Sequence, residues 1–277
     1  MRKLYTGNKT TLFLLLSIAL IICGCDNTRT KKIQNDNISV KMDTVVYCDS
    51  IDDPINSKII VHTKAVLPFF AKNDSKTTDL INTISKNIFN IECNESTDNK
   101  TTVIQFTNDI LDSYRSPLEE KANLSLYKDI NKTHKYEISN EITPVYNKNG
   151  ILCFCRTSEM KKNGTQTMLS NYYYSFDINN NSRISIADIF NPDYTSTINK
   201  LLKEKLMQQE KVESTSQLID LGYFNIDNLV VSNNFYFTDS SIVFNYEPFE
   251  IACYAIGDVC ISLDLDILKP YFRTDIN

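Results

Sequence analysis

The chain has 277 residues, of which 42% are hydrophobic and 23% are charged, and its formal net charge is −5. This composition excludes a wholly disordered chain, because there are enough apolar residues to build a core. The negative net charge and the lack of a long Lys/Arg cluster argue against a protein that binds nucleic acid.

Residues 1–24 resemble a bacterial lipoprotein signal peptide. Arg2 and Lys3 begin it, and the apolar run 12–22 is too short to span a bilayer, which takes about 20 apolar residues. Ile22-Cys23-Gly24-Cys25 resembles a lipobox. It predicts cleavage before Cys25 and attachment of lipid, including palmitate, to the Cys25 sulfur, which would hold the chain at a membrane. An ordinary cleaved signal and an uncleaved anchor helix are the alternatives.

The remaining chain is predicted to consist of three parts. Residues 25–39 are polar and form a flexible tether. Residues 40–130 form an N-terminal α+β domain, with a strand at 58–67 and helices from Asp74 or Ser75 and over 101–121.

Residues 131–277 form a C-terminal α+β domain that consists mostly of antiparallel strands. Asn147-Lys148-Asn149-Gly150 is a strong hairpin turn, and a helix is expected after Asp193 or Thr195. The predicted fold class is therefore α+β, with antiparallel sheets and a few packed helices in two subdomains. The predicted strands cover residues 136–146, 151–156, 171–178, 182–186, 234–238, 241–246 and 258–265.

Six cysteines remain after the lipobox, an even number that permits three disulfides in an exported chain. Cys253 and Cys260 lie symmetrically about Ile256-Gly257. If this stretch is a hairpin, the two thiols face each other and a disulfide is predicted. The alternative is that both are small buried hydrophobic residues.

Segment 177–188 resembles an EF-hand or dockerin calcium loop, because oxygen-bearing side chains recur along it between Asp177 and Asp188. Ser182 stands where such a loop needs glycine, and residues 171–176 alternate like a strand. The second interpretation is a hairpin turn built from asparagines, which tolerate positive φ.

No catalytic constellation is evident in the sequence. It contains no G-x-S-x-G motif and no P-loop, and His62 and His134 are its only histidines. Cys153-Phe154-Cys155 lacks a second ligand pair for zinc. We therefore predict no catalytic residue, no metal and no cofactor.

Four segments of the C-terminal half together form a family pattern. They are Ile184-Ser185-Ile186-Ala187-Asp188-Ile189-Phe190, Asn234-Phe235-Tyr236-Phe237-Thr238, the stretch 242–257 that contains Glu247-Pro248-Phe249-Glu250-Ile251-Ala252-Cys253-Tyr254, and Leu268-Lys269-Pro270-Tyr271-Phe272. Over roughly residues 135–273 the chain resembles the extracellular domain of the anti-sigma factor RsiV, a family of unknown function. Residues 40–130 are weakly similar to its companion domain, which also occurs in PdaC-type peptidoglycan deacetylases.

Departures from the family pattern limit what the resemblance implies. Many members carry a Gly-Gly-Ala-His motif where this chain has residues 163–167, and here Phe249 replaces tyrosine and Cys253 replaces proline. RsiV binds lysozyme and spans the membrane, so the resemblance implies an α+β module that binds something at the cell envelope.

The predicted function is thus a lipid-anchored binding protein of the bacterial cell envelope without catalytic activity. It would face the periplasm or the cell surface and recognise a lysozyme-like protein or peptidoglycan. The alternative is an envelope hydrolase that acts on cell-wall or glycan material.

Overall fold

The computed structural model describes residues 40–52, 57–68, 75–93, 98–123, 134–162 and 167–273. The predicted signal peptide, Cys25 and the tether lie outside the described residues and stay predictions. Within the described ranges, no helix is long and apolar enough to cross a membrane.

A six-stranded sheet forms the centre of the molecule, and its strands are neighbours in chain order. All neighbouring strands are antiparallel except the second and third, which are parallel. The strands are β1 (Met42–Asp52), β2 (Ser57–Pro68), β3 (His134–Lys148), β4 (Ile151–Lys162), β5 (Met168–Asp177) and β6 (Ser182–Ile184).

The parallel pairing of β2 with β3 requires a crossover, and helices supply it. The crossover contains α1 (Ser75–Ile84), which continues into a π-helical turn (Ser85–Phe89), and then α2 (Asn99–Asn123), which is not divided at Pro117. These helices pack on one face of the sheet, where β2 buries every second residue and leaves the residues between them more exposed.

The other face of the sheet meets a second layer, built around a three-stranded antiparallel sheet. The helix α4 (Thr195–Glu210) presents Ile198, Leu202 and Leu206 to this layer, and all three are 0% exposed, as their spacing of four residues predicts. Its other elements are β7 (Phe235–Phe237), β8 (Ser241–Tyr246), β9 (Val259–Asp264), α3 (Ile186–Ile189), α4 (Thr195–Glu210), α5 (Thr215–Asp220) and α6 (Leu265–Leu268).

The predicted α+β class is confirmed, and so are the main helices and hairpins. One local difference has a physical cause. The strand predicted at 182–186 ends at Ile184, because Ser185 and Asp188 form a capping box that starts α3. The predicted domain division near residue 130 lies between β2 and β3, which pair in one sheet, and it stays a prediction.

Two asparagines join the layers at the open edge of β5. β6 pairs only with residues 175–177, so the edge of β5 before them has no neighbouring strand. There Asn234 Oδ1 accepts a hydrogen bond from the Tyr173 backbone N–H (2.7 Å), and its Nδ2 donates to the Asn171 carbonyl (2.9 Å). The Asn245 side chain, 0% exposed, donates to the same carbonyl at 3.1 Å. A side-chain amide thus takes the place of a strand.

We expect Asn234→Ala to lower the free energy of unfolding by about 1–3 kcal/mol, because the Tyr173 N–H loses its only partner in this interface. Asn234→Asp keeps the acceptor but loses the donor, and it should also be destabilised. Urea unfolding measures both. Asn228→Ala, at an exposed position, is the control and should change stability by less than about 0.5 kcal/mol. Equal stability of Asn234→Ala and the wild type would contradict this role.

Candidate functional site

Cys253 and Cys260, the predicted disulfide pair, are free thiols in the structure, as are the other described cysteines. The hairpin on which the pairing rested does not form. Cys253 precedes a turn at residues 254–256, whereas Cys260 lies in β9 and pairs with Asn245 of β8. The Cys260 thiol donates to Asn245 Oδ1 at 3.2 Å. The Cys253 sulfur lies against Gly222, where an added Cβ would stand only 2.9 Å away.

Segment 177–188 folds as a hairpin turn followed by a helix start. Asp177 Oδ1 accepts hydrogen bonds from the backbone N–H groups of Asn179 (2.8 Å) and Asn180 (3.2 Å), and Asn181 has φ +51°. Asp188 accepts from both the N–H and the hydroxyl of Ser185. The carboxylates therefore stabilise the turn and the helix cap. Across the described ranges, no group of three or more His, Cys, Asp or Glu side chains could hold a metal ion.

The region with the most unusual chemistry lies where the second layer meets the open edge of β5. We call it the edge site and define it by Tyr172, Glu247, Phe249, Tyr254 and Asp258. Glu247 follows β8 directly, only two residues after Asn245. Asp258 comes just before β9. The asparagine contacts that join the layers therefore also place both carboxylates beside β5.

The two carboxyl groups of the edge site are partly buried. Burial raises the pKa of Glu247, and the nearby charges of Glu250 and Asp258 raise it further, while a hydrogen bond from Tyr172 opposes the shift. Burial also raises the pKa of Asp258. Its Oδ2 accepts from Asn171 Nδ2 at 2.6 Å, and its buried Oδ1 has no partner. Neither acid forms an ion pair within 4 Å among the described residues.

Phe249 stands out on the surface of the edge site. It is 65% exposed and its φ of +69° lies in the left-handed region, which costs a non-glycine residue about 1 kcal/mol. Its ring stacks on Tyr254, with centroids 5.5 Å apart and planes 28° apart. The Tyr254 hydroxyl donates to the Thr167 carbonyl at 2.7 Å, which ties the pair to the start of β5. The loop thus holds an aromatic ring in solvent at an energetic cost.

The arrangement offers groups that are suited to binding. Stacked rings offer a face to apolar groups, sugar rings or cations, and the carboxyl groups beside them can accept hydrogen bonds. Sequence reasoning assigned no role to Glu247 or Asp258 and mentioned Phe249 only as a departure from a family pattern. No local pattern marks these three residues, because they are brought together by the docking of two layers.

Comparison with known proteins links part of this chain to a family of unknown function. The family model described as "Protein of unknown function (DUF3298)" matches residues 187–266, which include most of the edge site. The prediction of a domain of unknown function is thereby confirmed for these residues. The relation to RsiV stays a prediction. No curated protein matches the chain significantly.

Two crystal structures share the fold. A member of the DUF3298 family from Bacteroides fragilis NCTC 9343 is 20% identical, with a TM-score of 0.73 over 85% of this chain and 94% of that one. A DUF3298 family protein from Pseudomonas aeruginosa PAO1 is 9% identical, with a TM-score of 0.51 over 87% of this chain and 97% of that one. At these identities the likeness concerns the fold alone.

We expect Glu247→Gln to stabilise the protein near neutral pH. Because the pKa of Glu247 is raised in the folded state, folding favours the protonated carboxyl group. The wild type therefore loses stability as pH rises through the folded-state pKa of this group. Glutamine stays uncharged, so its advantage should be present at about pH 7 and vanish towards about pH 4. Urea unfolding at both pH values measures it.

The matched control is Glu213→Gln, at an exposed position away from the edge site. It should show no comparable gain at neutral pH. A Glu247→Gln variant less stable than the wild type at about pH 7 would show that the ionised carboxylate is stabilising, contrary to the burial argument.

Proposed function

We propose that this protein is a lipid-anchored binding protein of the bacterial cell envelope that has no catalytic activity. Lipid on Cys25 would hold it at a membrane, and residues 25–39 would carry the folded part away from the surface. The folded part would face the periplasm or the cell surface. Its ligand would be a lysozyme-like protein or peptidoglycan, bound at the edge site.

The exposed stack of Phe249 on Tyr254 is the observation that supports binding most directly. A large ring that is 65% exposed gains little from folding, and its backbone conformation adds strain. Backbone strain of this kind persists at ligand-contacting positions, where the contacts that the ring makes with a ligand offset it. Aromatic side chains are also the residues that most often anchor interfaces.

The carboxylates beside the Phe249–Tyr254 stack could contact either a lysozyme-like protein or peptidoglycan. Glu247 and Glu250 lie on the same short loop, and Glu250 Oε2 accepts the Glu247 backbone N–H at 2.9 Å. A basic protein such as a lysozyme would place cationic side chains against these carboxylates. A peptidoglycan fragment would instead stack a sugar ring on Phe249 and donate its hydroxyl groups to them.

An envelope hydrolase is the second candidate, and one observation favours it. Glu247 and Asp258 are close enough to interact electrostatically and both have raised pKa values, and a raised pKa is what the general acid of a glycosidase needs. This candidate requires that the wild-type protein release products from a cell-wall fragment, whereas the binding protein leaves the fragment intact.

We expect Phe249→Ala to weaken binding about tenfold or more while leaving stability nearly unchanged, because the lost ring is an exposed anchor. Calorimetry with a purified lysozyme and with soluble muropeptides measures the affinity of each variant. Val230→Ala removes apolar surface at a position that is 61% exposed and lies outside the edge site, so it is the matched control. Binding that is equal in Phe249→Ala and the wild type would remove the edge site from the proposal, and turnover of the muropeptide would favour the hydrolase.

Cys25→Ala should abolish labelling of the protein by a fatty acid, because the sulfur that would carry the acyl chains is removed. Growth of bacteria on a clickable fatty acid, followed by isolation of the protein, measures the label. Cys23→Ala changes the other lipobox cysteine and should keep the label. A Cys25→Ala protein that still carries label would contradict the lipid anchor.

A further inference from the structure

Two arginines from different strands converge on the ring of Tyr174. Arg156 comes from β4 and Arg183 from β6, the strands on either side of β5. The guanidinium carbon of Arg156 lies 5.8 Å from the centroid of the Tyr174 ring, and that of Arg183 lies 5.1 Å away. Arg156 also lies 5.0 Å from the ring of Tyr172. We call Arg156 and Arg183 the arginine pair.

Both members of the arginine pair contact the π-helical turn that follows α1. Arg156 Nη1 donates to the Ile88 carbonyl at 2.9 Å, and Arg183 Nη1 donates to Asn87 Oδ1 at 3.4 Å. Turns of this kind are rare and frequently occur at functional sites. The carbonyl end of a helix carries only about half a negative charge, so it leaves most of the charge of two guanidinium groups uncompensated.

Neither arginine has a carboxylate partner within 4 Å among the described residues. The Nε of Arg156 is buried and makes no hydrogen bond. Glu247 is near enough for Arg156 to act on its pKa, yet burial keeps that pKa raised and no ion pair forms. A buried charged donor without a partner is unfavourable.

We propose that the arginine pair is a binding site for an oxyanion, either a carboxylate or a phosphate group. Guanidinium groups bind both through paired, charge-assisted hydrogen bonds. Arg183 is exposed and Asn87 is half-buried, so the anion has a path to the site from solvent. The contacts with aromatic rings orient the guanidinium groups, and one Nη1 donor of each group is already bonded to the π-helical turn.

This site does not rest on the function proposed for the edge site. It lies against the π-helical turn. Arg156 also contacts Tyr172 of the edge site, but the arginine pair includes neither Phe249 nor Tyr254, which form the exposed stack. The two proposals therefore respond to different substitutions. Loss of anion binding leaves the Phe249 result unchanged, and the reverse also holds.

The test is a titration of the full-length protein with inorganic phosphate and, separately, with acetate, at constant ionic strength, followed by calorimetry and thermal unfolding. We expect saturable binding of at least one anion with a rise in melting temperature. Arg183→Gln should weaken it about tenfold or more, since one of two charge-assisted contacts is lost. Arg156→Lys keeps the charge but removes the fork of donors, and it should also weaken binding.

Arg115→Gln is the matched control. It removes one exposed arginine that is paired with Asp112 on α2, and it should bind the anion like the wild type. Binding of phosphate alone assigns a phosphate ligand, and binding of acetate alone assigns a carboxylate. The proposal is overturned if the wild type binds neither anion, or if Arg183→Gln and Arg115→Gln behave alike.

Discussion

The amide side chains of Asn234 and Asn245 at the open edge of β5 are the contact on which the rest of the structure depends. A side-chain amide has the donor and acceptor geometry of a peptide group, so Asn234 satisfies two backbone atoms of β5 as a neighbouring strand would. It does so without extending the sheet. The strand edge is thereby covered, which also removes a surface on which other chains could pair.

That contact determines where the second layer can lie. Asn234 stands just before β7 and Asn245 lies within β8, so their bonds to Asn171 and Tyr173 fix both strands against β5. The stacking of Tyr173 on Tyr236, with ring centroids 4.4 Å apart, follows from this placement. The position of Glu247 does as well, since only one residue separates it from Asn245.

The sequence predicts those elements whose cause is local. The turn between β3 and β4 is predictable because asparagine and glycine tolerate positive φ. Asn149 and Gly150 adopt it in the structure, at +55° and +76°. The helix α4 was evident from its spacing of apolar residues.

β1 was not predicted, because it is an edge strand whose exposed positions do not alternate with buried ones. The positive φ of Phe249 was not predicted either. A sequence indicates positive φ through glycine and asparagine, so a phenylalanine in that conformation is recognised only in the structure. The partners of Glu247, Asp258 and the arginine pair come from distant segments, which no local pattern relates.

The parallel pairing of β2 with β3 has a consequence for how fast the chain folds. The ion pair between Lys64 and Glu141 joins residues 77 positions apart, whereas β3, β4 and β5 are joined by short connections. Closing so long a loop costs chain entropy before the contacts are made. The local hairpins, including β1–β2, can therefore form early, whereas the pairing of β2 with β3 must wait for the crossover helices. Until then the edge of β3 has no neighbour. This interval is when the chain is most open to proteases and to pairing with other chains.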